Sequence, residues 1–119
     1  MKFEFENMRV YWQALTFAKN IHFVSADFPE KHLSLKDKIR QVSLSIVQII
    51  ARSSVPASPE RRSILLFEAY YSCMDLIPLL EMAREARLIS IPDYHRFRGT
   101  VEDLCAALKD APLPPNVFD

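Results

Sequence analysis

Apolar residues recur at steps of three and four along most of the chain, the spacing that places them on one face of an α-helix. The first such segment covers about residues 7–26 and ends before Phe28-Pro29, because proline disfavours helix in the residue before it. The second covers about residues 34–52, with Ser34 as its N-cap. Its core positions are Leu35, Ile39, Val42, Ile46, Ile49 and Ile50.

Two further helices follow, and a serine and a proline mark the start of each. Ser58 and Pro59 predict the start of a helix over about residues 59–87, because proline is well tolerated at the first helical position. This segment is apolar almost all round, and we expect Pro78 to kink it rather than end it. The fourth helix is predicted over about residues 92–109, and residues 110–119, with three prolines, are expected to be an extended tail.

The composition agrees with long helices and few tight turns. The chain has 119 residues and a single glycine, Gly99. One glycine cannot supply the turns with positive φ that a β-sandwich or barrel needs. Short connections favour antiparallel neighbours, so residues 1–119 are predicted to form one all-α domain, an antiparallel up-down-up-down four-helix bundle.

The predicted helices carry more apolar residues than a bundle with one buried stripe per helix requires. Leu44 and Val47 project away from the core positions of the second helix, and Trp12 points away from those of the first. The third helix adds Leu65, Ala69, Leu76 and Ala83 around its other side. Because contiguous exposed apolar patches usually mark interaction sites, we predict a homo-oligomer. The candidate interface residues are Trp12, Arg40, Leu44, Val47 and Ala51.

The sequence offers little catalytic chemistry. It has no Glu-x-x-His motif, and its three histidines lack metal-ligand spacing, so no metal, cofactor or enzymatic activity is expected. Cys73 and Cys105 are expected to behave as small core residues. Glu68 and Asp75 share one face of the third helix; an acid–base pair is one interpretation, and pairing with a cation of a neighbouring helix is the favoured one. The predicted ion pair is Arg40 with Asp75.

A basic cluster is the remaining candidate site. The formal net charge is zero, but residues 1–62 hold ten Lys/Arg and six Asp/Glu, whereas residues 63–119 hold five and nine. The candidate nucleic-acid-binding residues are Lys36, Lys38, Arg52, Arg61 and Arg62. Repetition of such clusters around an oligomer would strengthen weak phosphate binding. A solvated face with no nucleic-acid contact remains an equal alternative.

The start of the chain is charged and lacks the apolar run of a signal peptide. No stretch reaches about 20 uninterrupted apolar residues, so no membrane association is expected. We therefore expect a cytoplasmic protein.

The order of several short motifs resembles a known family, the bacterial four-helix-bundle proteins encoded by intervening sequences in 23S rRNA genes. The similarity covers about residues 8–108. The matching segments are Met8-Arg9-Val10-Tyr11 with Ala14, Phe28-Pro29, Leu35 to Ile46, Ile50-Ala51, Ser58, Ala69 to Leu76, Leu88-Ile89 and Tyr94. The sequence departs from the family pattern at Ile49 to Ser53, where the family has Asn-Ile-Ala-Glu-Gly, and at Lys38, where it has glutamine.

The resemblance implies an antiparallel bundle that assembles as a ring-shaped homopentamer. The wider group includes accessory proteins of diversity-generating retroelements, which are strongly basic pentamers that bind nucleic acid and a reverse transcriptase. The sequence hypothesis is therefore a non-catalytic oligomeric scaffold that binds RNA, DNA or a nucleic-acid enzyme such as a reverse transcriptase. The alternative is a protein–protein interaction adaptor with no nucleic-acid role.

Overall fold

The structure is a computed structural model that describes residues 3–55 and 58–109. Four α-helices account for most of this range, and no β-strand occurs within it. The helices are α1 (Arg9–Ser25), α2 (Leu33–Ser53), α3 (Pro59–Glu85) and α4 (Ile91–Lys109). Short 3-10 turns at Glu4–Asn7 and Glu30–His32 precede α1 and α2. The predicted extended tail, residues 110–119, lies outside the described residues.

Side-chain caps begin the last two helices. The Ser58 hydroxyl accepts a hydrogen bond from the Arg61 amide at 3.1 Å, and the Ser90 hydroxyl accepts one from the Asp93 amide at 3.1 Å. Each bond satisfies an amide that has no partner within its helix. The predicted cap at Ser34 is wrong: α2 begins one residue earlier, at Leu33, because the 3-10 turn leads directly into it.

Helix α3 ends in a left-handed residue that is not glycine. Arg87 has φ of 60°, and its amide bonds the Arg84 carbonyl at 2.9 Å. The Leu88 amide reaches back to the Ala83 carbonyl at 2.8 Å. These two bonds are those of a Schellman motif, which satisfies the last carbonyls of the helix and turns the chain toward α4.

Helices that follow one another in the chain pack side by side, so the predicted all-α antiparallel bundle is confirmed. The most extensive packing joins α2 to α3, and the closing contact between α1 and α4 is the least extensive. Helix α3 continues through Pro78 without a break. All four helices contribute completely buried side chains, and the large apolar ones include Ile39, Ile50, Leu76, Leu80, Phe97 and Val101.

Helix α3 is long and apolar enough to cross a membrane, with a mean hydropathy of 1.3 over its most apolar 18-residue window. In the described structure this helix packs between α2 and α4. The central helix of a bundle meets the same criteria of length and composition, because it buries apolar side chains on several sides. Packing between α2 and α4 therefore suffices to explain the high mean hydropathy of α3.

Two expectations about which faces are exposed are wrong. Val47, a predicted interface residue, is only 6% exposed. The α3 residues expected on the outside, Leu65, Ala69, Leu76 and Ala83, are all buried in the core. Val47 is buried because α2 packs against both α1 and α3, so that the buried face of α2 is wider than one row of residues.

Candidate functional site

Two of the predicted interface residues do remain at the surface. Trp12 on α1 is 47% exposed and Leu44 on α2 is 43% exposed. Ala51, two helical turns after Leu44 on α2, is half-buried. Phe23 near the end of α1 is more exposed still, at 81%. Exposed side chains of this size are the positions at which a second chain gains most by covering them.

Trp12 is held in place by the segment that precedes α1. Its indole N–H donates a hydrogen bond of 2.8 Å to the carbonyl oxygen of Glu6, and its ring meets Tyr11 edge to face at 5.0 Å. One side of the indole lines a shallow groove of about 400 Å³ between α1 and α4. Polar and charged side chains form much of its rim: Arg9, Gln13, Thr16, Asn20, Thr100 and Asp103.

The longest exposed apolar row lies on α3, where the sequence interpretation had assigned a different face. We call this row the α3 stripe; it consists of Ile64, Tyr71, Met74, Pro78 and Met82, all of them exposed. Steps of three, four and seven connect most of its members, which is the spacing of a helix seam that packs on another helix. The same spacing was present in the sequence, but nothing in an apolar helix of this kind marks which side faces inward.

The predicted ion pair between Arg40 and Asp75 is wrong. Arg40 instead turns toward α1, where its Nε donates a 2.6 Å hydrogen bond to the Ser25 hydroxyl and its Nη2 donates one of 2.8 Å to the His22 carbonyl. Ser25 is almost completely buried, so the guanidinium satisfies polar groups at the end of α1. Asp75 is exposed, and no cation in residues 3–55 or 58–109 pairs with it.

The five candidate nucleic-acid-binding residues fall into two groups. We call Arg52, Arg61 and Arg62 the basic end, because the end of α2 and the start of α3 lie at the same end of the bundle. Lys36 and Lys38 lie near the opposite end of α2, which places Lys36 about 24 Å from Arg52 along the helix axis. Within the described ranges, none of the five forms an ion pair.

A polar network that the sequence analysis missed joins α3 to α4. The Tyr94 hydroxyl donates to a Glu81 carboxylate oxygen, and the Arg98 guanidinium donates to the Tyr94 hydroxyl at 2.9 Å. Arg84 donates to the other Glu81 oxygen at 2.9 Å and lies 5.1 Å from the centre of the Tyr94 ring. Hydrogen bonds from Tyr94 and Arg84 stabilise the ionised carboxylate and lower the pKa of Glu81.

The lowered pKa of Glu81 predicts a pH-dependent contribution to stability. A carboxyl group whose pKa is lower in the folded protein contributes stability above its unfolded pKa of about 4.3, and the contribution disappears as pH falls through the folded value. Glu81→Gln is therefore expected to be less stable than the unmodified protein at pH 7, with the difference shrinking below about pH 4.3. Urea unfolding across pH 3 to 7 measures it.

Glu68→Gln is the matched control for this change. Glu68 lies on the same helix, is exposed, and has no ion-pair partner within the described residues. Its loss of stability at pH 7 should be smaller than that of Glu81→Gln, because Glu68 lacks the hydrogen bonds that Glu81 accepts. If the unfolding free energies of the two variants changed with pH in the same way, the network around Glu81 would not contribute to folding.

The two cysteines meet between α3 and α4 and are both free thiols. Cys73 is completely buried and Cys105 is half-buried. Burial raises the pKa of both thiols, which opposes formation of the reactive thiolate. No group of three or more metal-ligating side chains occurs in the part of the chain that the structure describes.

The family model described as 23S rRNA-intervening sequence protein matches residues 6–110, which include all four helices. No curated protein and no solved structure matches the chain.

Proposed function

The chain belongs to the 23S rRNA-intervening sequence protein family, and from that premise we propose that it is a non-catalytic, self-associating scaffold that binds RNA or DNA. A nucleic-acid enzyme such as a reverse transcriptase is a further binding partner of this scaffold. The proposal assigns the nucleic-acid contact to the basic end. Self-association multiplies that contact, because each added copy presents the same arginines to one strand.

The basic end supports the proposal through three arginines without acidic partners. Arg52 and Arg61 are exposed and Arg62 is half-buried, and no carboxylate in the described ranges forms an ion pair with them. Arginine presents a planar set of donors that suits phosphate oxygens. A guanidinium that is not neutralised within its own chain is free to replace the cations that surround nucleic-acid phosphates.

Exposed apolar side chains support self-association. Trp12, Leu44 and the α3 stripe present large apolar groups to solvent, which is unfavourable for a dilute single chain. The family resemblance implies a ring of five copies. Five copies of the basic end would then lie on one rim, since rotation about the ring axis repeats the same surface on every subunit.

Salt-dependent binding tests the nucleic-acid proposal. We expect single-stranded RNA to bind with an affinity that falls as salt rises from about 50 to 200 mM. Arg52→Glu combined with Arg61→Glu should weaken binding and reduce the log–log salt slope by about 1.4 for each copy that contacts the strand, because each lost phosphate contact removes about 0.7 on a single strand. Fluorescence anisotropy of a labelled oligonucleotide measures both values.

Lys36→Glu combined with Lys38→Glu places the same change in charge at the opposite end of α2. If the basic end binds the strand, this second variant should retain nearly the original slope. A reversed outcome would move the site to Lys36 and Lys38. Unchanged binding by both variants, or no binding by the unmodified protein, would reject the nucleic-acid role.

The alternative function, a protein-binding adaptor, is favoured by the same exposed apolar groups. A partner recognised through apolar surface remains bound after nuclease treatment and at high salt, because neither removes the apolar contact. Recovery of one protein under those conditions, together with no oligonucleotide binding, would favour the adaptor over the scaffold.

A further inference from the structure

Four aromatic side chains form a continuous row around the start of α1. The Phe3 and Phe5 rings stack with their centres 5.4 Å apart, and the Phe5 ring meets that of Tyr11 at 4.8 Å. Tyr11 in turn meets Trp12 edge to face at 5.0 Å. We call these four side chains the aromatic row. Its two ends, Phe3 and Trp12, are 53% and 47% exposed, so ring surface is open to solvent at both of them.

Hydrogen bonds fix the aromatic row before any ligand binds. The Phe3 amide donates to the Glu6 carboxylate at 2.8 Å, and the Glu6 amide donates to the Phe3 carbonyl at 3.1 Å. The Trp12 indole N–H donates to the Glu6 carbonyl at 2.8 Å. A ring whose orientation is already fixed loses little conformational entropy when a flat ligand stacks on it.

The aromatic row and the basic end lie at the same end of the bundle. Helices α1 and α2 are antiparallel neighbours, so α1 begins at the end of the bundle where α2 finishes with Arg52 and Ser53. The 3-10 turn Glu4–Asn7, which carries Phe5, also packs against α2. Because the axes of packed helices lie about 10 Å apart, one short strand can reach both the arginines and the aromatic rings.

We propose that the aromatic row stacks with the bases of a single-stranded RNA or DNA whose phosphates bind the basic end. Proteins that bind single strands combine a positively charged surface with exposed aromatic rings, because every base has a flat face and every nucleotide has a phosphate. This inference rests on the nucleic-acid binding proposed above and names the part of the strand that is recognised. Base faces are open only in an unpaired strand, so double-stranded nucleic acid should bind less well.

The groove beside Trp12 offers polar partners for the edge of a stacked base. Its volume of about 400 Å³ is within the range of pockets that hold small ligands. Gln13, Asn20 and Asp103 line it, and amide and carboxylate groups form hydrogen bonds with the edges of bases. Arg9 also lines the groove, is exposed, and forms no ion pair within the described ranges. A base stacked on the indole therefore has partners at its edge as well as at its face.

Carboxylates near the aromatic row limit its role to contacts with bases. Glu4 is exposed in the preceding turn and Asp103 is exposed at the groove, so phosphates are repelled there. Affinity gained from stacking depends little on salt, whereas affinity gained from the arginines of the basic end falls as salt rises. The two contacts can therefore be separated by their response to salt.

The inference assigns Trp12 to the bound strand and not to contact between copies. Leu44 and the α3 stripe still supply exposed apolar surface for self-association. In an assembly each copy would present its aromatic row beside its own basic end. Stacking and phosphate contacts would then increase together with the number of copies on one strand.

Fluorescence tests the stacking directly, because Trp12 is the only tryptophan in the chain. A thymidine oligonucleotide of about 10 nucleotides should quench the fluorescence of Trp12, since a stacked base lies against the indole. An abasic oligonucleotide of the same length and charge should bind through its phosphates without quenching. Quenching of the same size by both strands would contradict stacking, and a fluorescent end label on each strand reports its binding.

Trp12→Ala is expected to weaken binding of the thymidine strand on the order of tenfold for each copy that contacts it, because one stacked base is lost. Its log–log salt slope should remain that of the unmodified protein, since no phosphate contact is removed. Binding of the abasic strand should not change. Trp12→Phe keeps a ring but loses the bond to Glu6, and it should recover part of the affinity.

Phe23→Ala is the matched control. Phe23 is an even more exposed aromatic residue on the same helix, eleven residues after Trp12 and therefore about 16 Å along the axis, toward the opposite end of the bundle. This variant should bind both strands like the unmodified protein. Circular dichroism of every variant shows whether the helices are retained.

The outcomes separate this inference from the proposed function. If the unmodified protein binds neither strand, the nucleic-acid role and the stacking are both rejected. If it binds both strands equally well, without quenching and without an effect of Trp12→Ala, the basic end remains the binding site and the stacking is wrong. A loss of affinity in Trp12→Ala that is equal for the thymidine and abasic strands would also contradict stacking, because the abasic strand has no base to lose.

Discussion

Phe97→Ala is expected to lower the free energy of unfolding by about 3–5 kcal/mol. Phe97 is 1% exposed, and its ring meets Phe17 of α1 edge to face, with centres 5.9 Å apart. The substitution removes a large apolar side chain and leaves a cavity where α4 closes against α1, the least extensive of the four helix contacts. Denaturant unfolding at one fixed protein concentration measures the loss.

Phe23→Ala provides the control with the same chemical change. Because the Phe23 side chain is mostly in solvent, its removal should alter the unfolding free energy by less than about 0.5 kcal/mol. Losses of similar size in the two variants would contradict the burial of Phe97. Use of one low protein concentration matters, because any assembly adds its own concentration-dependent stability.

Arg40→Ala is expected to destabilise the fold by about 1–3 kcal/mol. It removes the hydrogen bond to the exposed His22 carbonyl and the one that the buried Ser25 hydroxyl accepts, so that this hydroxyl loses its donor. Arg40→Lys should lose part of this stability, because an ammonium group cannot reproduce the two-armed geometry of the guanidinium. Denaturant unfolding of both variants gives the two values.

Double-mutant cycles distinguish the observed partners of Arg40 from the predicted one. Arg40→Ala and Ser25→Ala should show a coupling energy above about 0.5 kcal/mol, because their side chains are in contact. Arg40→Ala and Asp75→Asn should be additive in dilute, dissociated protein. Strong coupling to Asp75 under those conditions would restore the ion pair that the sequence suggested.

The sequence predicted the helices well because their determinants are local. Apolar spacing marks each helix, and Ser58 and Ser90 cap α3 and α4 through bonds to amides three residues away. The error at Ser34 has a local cause too. A 3-10 turn at Glu30–His32 already provides the first turn of hydrogen bonds, so α2 needs no serine cap.

The faces of α2 and α3 were harder to predict because they depend on neighbours. Helix α3 is apolar on almost every side, so periodicity cannot tell the buried row with Leu76 from the exposed row with Tyr71. Only the positions of α2 and α4 decide between them. The partners of Arg40 were missed for a related reason: one is a backbone carbonyl, and carbonyls carry no signature in the sequence.

The bond from the Trp12 indole to the Glu6 carbonyl also makes this side chain a specific optical probe. It is the only tryptophan in the chain, and it lies outside the core, against the 3-10 turn at Glu4–Asn7. Its fluorescence therefore reports release of the N-terminal turn, whereas circular dichroism follows the four helices. Local fraying and global melting can thus be observed separately in one sample without any added dye.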